Sequence, residues 1–220
     1  MIPILKPRNP NLGELSRLQE SVAKSVITED RIRRLKTIAG CDISFTVGDR
    51  AYAACAVLDY KKLEVLNQKV VGVRLRFPYI PTFLAFRELE GMLKAVSGMN
   101  ADVYMVGAQG LAHPRRAGLA CHFGVTLNKP TLGVAKKRLL GSAVKPGQER
   151  GEYSLLKDDG EIIGAVLRTQ ASGRPVYVSI GHKLSLKTAV RITLETTRGR
   201  RLPEPLRVAH ELATRAMKSG

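Results

Sequence analysis

Two carboxylates and two histidines are the residues of this chain whose types and settings could do chemistry. Asp42 lies within Thr37-Ile-Ala-Gly-Cys-Asp-Ile-Ser-Phe45, an apolar run that reads as a short strand, and an acid among Ile, Cys and Phe needs a partner or a purpose. Glu88 follows the stretch Phe77-Pro-Tyr-Ile-Pro-Thr-Phe-Leu-Ala-Phe-Arg87 and falls on a helix expected from about Pro81 to Met99. If that helix packs across the strands, the two acids meet; facing one another they repel and raise a pKa unless a divalent cation sits between them. Mg²⁺ suits such a place because it accepts a few carboxylate oxygens and keeps waters and substrate phosphate oxygens as its other ligands. It would polarise a phosphodiester and lower the pKa of an attacking water. Each acid taken singly also fits a satisfied structural carboxylate. His113 falls on a loop after a predicted parallel strand, where open α/β sheets place their ligands, and His210 falls on the last helix. Either could orient a water or protonate a leaving oxygen, and either fits a packing role as well.

The stretch before Glu88 reads as a tool attached to that reagent. Pro78 and Pro81 each fix φ and push the residue before them out of the helical region, so Tyr79 and Ile80 stand on a stiff extended turn able to act as a wedge. An ordinary Pro-rich connection whose Tyr caps the core is the plainer alternative. Lys136, Lys137 and Arg138, with Arg115 and Arg116 on a neighbouring loop, could supply phosphate contacts at the same edge of the sheet, or form a solvated basic face.

These residues need a scaffold, and the periodicities supply one. After a Pro-rich lead, Asn11 followed by Glu14 forms a cap for a helix with Leu12, Leu15, Leu18 and Val22 at helical spacing. Strands over about 37–45, 51–60 and 63–76 make an antiparallel meander. The wedge and its helix follow. Strands over 101–106 and 131–135, with a short helix over 118–126 between them, indicate parallel pairing. Further strands over 152–156, 162–168 and 176–180, a helix over 185–197 and a last helix after Pro203-Glu-Pro205 complete an α/β mixed sheet in the ribonuclease H manner.

The chain has 220 residues, a formal net charge of +17 and a pI near 10.2, which favours a polyanionic partner, nucleic acid first, over a small metabolite. Length and even composition predict a single domain over 1–220. Cys41, Cys55 and Cys121 have no CxxC or metal-finger spacing, which argues against a zinc module or a disulfide framework. The cysteines fit a reducing cytoplasm, and with no apolar leader and no run of ~20 apolar residues a cytoplasmic protein without membrane contact is expected; a monomer is expected as well.

Assembled, these stretches resemble the endonuclease V family over nearly the whole chain. They are Gly40-Cys-Asp42 with Ser44-Phe45, Phe77-Pro-Tyr-Ile-Pro81 with Phe86-Arg-Glu88, Gln109-Gly-Leu-Ala-His-Pro-Arg-Arg116, Gly133-Val-Ala-Lys136, and Leu202-Pro-Glu-Pro205 with His210. The resemblance implies a ribonuclease H-like nuclease that acts on deoxyinosine in DNA and, in some members, inosine in RNA. Such an enzyme hydrolyses the second phosphodiester 3′ to the lesion with Mg²⁺ or Mn²⁺, leaving 3′-hydroxyl and 5′-phosphate ends. It implies metal binding by Asp42 and Glu88, active-site roles for His113 and His210, and a wedge formed by Pro78, Tyr79, Ile80 and Pro81. It also implies a hypoxanthine pocket lined by Leu84, Gly110 and Leu119, and a phosphate contact from Lys136.

The chain departs from the family at one position. The family pattern is acid-Gly-x-Gly before Leu-Ala-His-Pro, whereas this sequence reads Gly107-Ala108-Gln109-Gly110. A glycine thus stands where a second metal-binding carboxylate is expected. Asp102 cannot replace it, because at ~3.3 Å per residue it lies about 16 Å back along the strand and an odd offset turns it to the other face. The expectation is an inosine nuclease with a weakened metal site. The competing readings are a protein that binds inosine-containing nucleic acid without cutting it, and a basic ribosome-associated protein unrelated to nucleases.

Overall fold

The computed structural model describes residues 11–219; the Pro-rich lead lies outside the described residues. Helix α1 (Leu12–Ser25) begins at Asn11, whose side chain accepts from the backbone N–H groups of Gly13 and Glu14 and so satisfies two donors a helix start leaves open. Its buried stripe is Leu15, Gln19 and Val22. Leu12, expected in that stripe, is exposed, and a glutamine occupies a core position instead.

β1 (Thr37–Phe45), β2 (Arg50–Asp59) and β3 (Val65–Arg74) form the antiparallel meander, with Asp42 opposite Ala54. α2 (Leu84–Val96) leads to β4 (Val103–Val106), then α3 (Leu119–Leu127) to β5 (Thr131–Ala135). β6 (Tyr153–Asp158), β7 (Glu161–Leu167) and β8 (Val176–His182) precede α4 (Leu186–Glu195) and α5 (Glu204–Ser219). All eight strands join one sheet in the order β3-β2-β1-β4-β5-β8-β7-β6. Pairing is parallel for β1 with β4 and β4 with β5, and antiparallel elsewhere. The parallel segment is therefore confined to the middle, where helical crossovers require it.

Each face of the sheet carries its own apolar layer. Ile38, Met105, Leu132 and Val178 pack with Ile192 of α4 and Leu206 of α5 on one side. Ala39, Cys41 and Val106 pack with Met92 of α2 and Phe123 of α3 on the other. Burial on both faces matches the near-continuous apolar runs of β4 and β5.

Two features of the sequence set how closely the helices approach Asp42. A Cβ on Gly40 would stand 2.0 Å from the carbonyl oxygen of Pro205, so only glycine lets the start of α5 rest on β1. His210, five residues further along α5, then comes level with Asp42, two residues further along β1. On the opposite face Gly91 packs against Val73, Ala53 and Ile43, seating α2 on the meander one turn beyond Glu88. The helix expected from Pro81 begins instead at Leu84, because Thr82 adopts φ +68° and interrupts the helical path.

Candidate active site

Asp42, in the second half of β1, and Glu88, on α2, face a common cavity, each contributed by a different layer. Both line a cavity of about 560 Å³ together with Gly107, Lys136 and His210. Asp42 Oδ2 lies 2.6 Å from His210 Nδ1, which fixes the imidazole and leaves Nε2 as the ring nitrogen not engaged by Asp42. Glu88 is 9% exposed, and its pKa is pushed up to about 7, first by loss of hydration and then by the charge of Asp42; nearby Arg87 only partly offsets this. The charge of Asp42 thus disfavours the Glu88 anion, a situation a cation between the two would relieve.

Gly107, just past β4, is exposed on the cavity wall. A Cβ built there would stand 2.3 Å from Asp42 Oδ1. The Asp42 carboxylate occupies the space a side chain at 107 would need. Asp102 lies at the other end of β4, where its Oδ2 accepts from the backbone of Lys36 and Thr37. Among the described residues no cluster of three or more His, Cys, Asp or Glu side chains could hold a metal ion. The donor set nevertheless fits a hard cation that takes two carboxylates and completes its shell with water and phosphate oxygens, as Mg²⁺ does.

A smaller, mainly apolar cavity of about 120 Å³ adjoins the first. Leu84, Ala85, Ala117, Gly118 and Leu119 line it, and Tyr79, Glu88, Gln109 and Leu139 belong to the walls of both. Leu84 and Leu119 therefore face one small apolar cavity. Gly110 backs this cavity rather than lining it: it is buried, its N–H donates to Ser179 Oγ, and a Cβ would stand 2.0 Å from the carbonyl of Ile180. Tyr79 stands at the rim, 68% exposed, between exposed Pro78 and Pro81 and half-buried Ile80. It does not cap the core.

The two histidines occupy different settings. His210 pairs with Asp42, whereas His113 belongs to the apolar cavity and is 3% exposed. His113 Nε2 lies 2.8 Å from the carbonyl oxygen of Thr82, and its Nδ1 accepts from the N–H of Arg115. Burial pushes its pKa down to about 4, so it is neutral and both nitrogens are occupied. Arg115 and Arg116, which the sequence allows either as phosphate contacts or as part of a solvated basic face, are engaged within the chain. Arg115 binds Gln19 and Thr82 and lies over the Phe83 ring, while Arg116 pairs with Asp158 and Glu161. Lys136, Lys137 and Arg138 remain exposed along the larger cavity.

Residues that sequence reasoning missed include Thr82, Gln19, Gln109 and Leu139. A polar residue on the Leu15–Val22 stripe was the available signal for Gln19. Thr82 offered none, since a β-branched residue at positive φ is contrary to local preference and costs about 1–3 kcal/mol.

The sequence model of the Endonuclease V family matches residues 20–211. Endonuclease V of Methanothrix thermoacetophila is 46% identical over 201 residues, covering 91% of this chain and 89% of that protein. The crystal structure of Streptomyces avermitilis Endonuclease V superposes with a TM-score of 0.91 at 34% identity, covering 99% of this chain and 96% of the other. Ciona intestinalis Endonuclease V, solved in complex with a 24mer DNA containing an inosine followed by a ribo-adenosine, gives 0.85 at 26% identity over 96% and 99%. With its ribonuclease H-like sheet, its paired carboxylates and this similarity over nearly its full length, the chain belongs to the Endonuclease V family of nucleases.

Proposed function

We propose that this protein recognises deoxyinosine in DNA and hydrolyses the second phosphodiester bond 3′ to it, at a rate limited by the glycine at position 107. The observation that carries the reading is the shared wall of Tyr79, Leu84, Glu88, Gln109 and Leu139, which joins an apolar cavity to one holding two carboxylates and a histidine. A base extruded from the duplex enters the apolar side while Tyr79 fills the space it leaves in the stack. Leu84 and Leu119 contact its faces. The backbone then runs past Glu88 and Asp42, where Lys136 meets a phosphate.

Asp42 and Glu88 would hold Mg²⁺, or Mn²⁺ in its place, and that ion supplies Lewis-acid polarisation of the phosphodiester and a lower pKa for the attacking water. His210, oriented through Nδ1 by Asp42, presents Nε2 for proton transfer at the phosphodiester, either from the water or to the departing 3′ oxygen. His113 holds the loop at Thr82 and so places the substrate without exchanging protons itself. With only two carboxylates available, the cation depends on substrate oxygens for its affinity, and cleavage is slow.

The DNA partner is supported by the inosine DNA bound to the Ciona relative and by the charge of +17. Inosine in RNA is a further substrate of the same cavity. We read the protein as a monomer and as cytoplasmic; no helix among the described residues is long and apolar enough to cross a membrane. A second reading, binding of inosine-containing nucleic acid without hydrolysis, is favoured by one observation, the absence of a carboxylate at Gly107. Mapping the ends produced from an inosine-containing duplex with Mg²⁺ or Mn²⁺ tests the function. Nicks one phosphodiester removed from the lesion on its 3′ side support it, nicks unrelated to inosine refute it, and tight inosine-selective binding with no nick favours the second reading.

A further inference from the structure

The turn carrying Tyr79 is fastened to α1 by polar side chains that have no place in the chemistry. Thr82, directly after Pro81, takes φ +68°, a conformation a threonine keeps only where its surroundings impose it. Its carbonyl oxygen accepts from Gln19 Nε2 at 2.8 Å and faces His113 Nε2 at 2.8 Å. Its Oγ1 accepts from Arg115 Nη2 at 2.9 Å. Arg115 Nε in turn donates to Gln19 Oε1, so Thr82, Gln19 and Arg115 form a closed ring of hydrogen bonds. Gln19 is 1% exposed and uses both ends of its amide in this ring. Leu15, one turn earlier on α1, packs with Phe77 and Phe83 at the two ends of the turn.

We propose that Gln19 is a positioning residue for inosine selection: through Thr82 and Arg115 it holds the Tyr79 turn in register with the apolar cavity. Gln19 lies outside the span matched by the family model, which begins at residue 20, and no atom of it lines either cavity. Its action is indirect. With the amide in place, the backbone after Pro81 has one conformation, and Tyr79 enters the duplex without first being ordered. Without it, Thr82 relaxes toward ordinary φ and the turn samples positions out of register with the cavity. The consequence for selection rests on the inosine reading above; the fastening itself does not.

Two variants separate the hydrogen bond from packing. Gln19→Glu keeps the shape and the contact with Arg115 but cannot donate to the Thr82 carbonyl as a carboxylate, and Gln19→Ala removes both. Hydrogen–deuterium exchange of the free chain reads the fastening. Both variants are expected to speed exchange over 77–83, read at the Phe83 amide that donates to the Ile80 carbonyl, by about tenfold for Gln19→Glu, which loses one buried hydrogen bond, and by at least as much for Gln19→Ala, which loses two, with α5 unchanged. Fluorescence anisotropy in EDTA reads selection, using a duplex with one inosine and the same duplex with adenosine. The inosine preference is expected to fall about tenfold, with affinity for the unmodified duplex within about twofold, and Gln19→Ala should add nothing in a Tyr79→Ala background. Unchanged exchange over 77–83 overturns the proposal. So does a preserved inosine preference, or a loss that adds to that of Tyr79→Ala. If the unaltered chain itself shows no inosine preference, the functional reading fails, and the exchange measurement alone decides whether Gln19 fastens the turn.

Discussion

Glu88→Gln should make this protein more stable at pH 8 and leave it nearly unchanged at pH 4. In the folded chain Glu88 holds its proton up to about pH 7, whereas the unfolded chain releases it near 4.5. Between those values the folded state binds one more proton than the unfolded state, so this group's contribution is fully present below pH 4.5 and is lost as pH rises to about 7. A separation of about 2.5 pH units at 1.36 kcal/mol each gives roughly 3 kcal/mol. Glutamine imitates the protonated acid and has no proton to lose. For a domain of this size ~3 kcal/mol corresponds to roughly 6–12 °C in Tm. Urea melts of both proteins in EDTA, from pH 4 to 8, measure the difference directly. It should be near zero at the acid end and reach a plateau above pH 7, and Mg²⁺ added at pH 8 should stabilise the unaltered chain more than the variant. A difference that is flat with pH would refute the argument that Asp42 and Glu88 confront one another in a poorly hydrated site.

Other predictions follow from the same geometry. His113→Gln should remove a loss of stability that the unaltered chain suffers as pH falls from 6.5 to about 4, because the unfolded chain takes up a proton there that the buried ring refuses; the same urea melts read this slope, opposite in sign to that of Glu88. Tyr79→Ala should reduce the preference for an inosine duplex while salt-sensitive binding to unmodified duplex persists, and equal loss on both would remove Tyr79 from the wedge role. On the proposed function, Asp42→Ala should abolish any metal-dependent nicking, since it removes both an oxygen proposed to hold the cation and the partner of His210; unchanged nicking places the reaction elsewhere.

The strands were readable because their signals are local. Apolar runs bounded by turn residues placed β1 and β5 at their observed limits, and Asn11 announced α1 through a cap that acts within three residues. The start of α2 was not readable in the same way. Pro81 is suited to a first helical turn, but Thr82 is held in a left-handed conformation by Gln19, His113 and Arg115, which are remote in sequence. The same remoteness explains the arginines: a basic pair after His113 looks free for phosphate until Gln19, Asp158 and Glu161 arrive beside it. Asp42 and Glu88 stood out because acids in apolar settings are costly, and Gly107 stood out because the surrounding motif defines what should stand there. That the vacated space is taken by the Asp42 carboxylate could be seen only in three dimensions.

The most direct test of the account is nicking of an inosine-containing duplex by this chain and by its Gly107→Asp variant, at matched Mg²⁺ or Mn²⁺ and over a range of metal concentrations. The incoming carboxylate requires Asp42 to turn from its present position, so the variant should bind metal more tightly and cut faster, reaching half-maximal rate at lower Mg²⁺. Slow, inosine-dependent nicking by the unaltered chain and a marked gain in the variant are the expected results. Equal rates and equal metal requirements in the two proteins would contradict it, because the missing carboxylate would then have no part in the site.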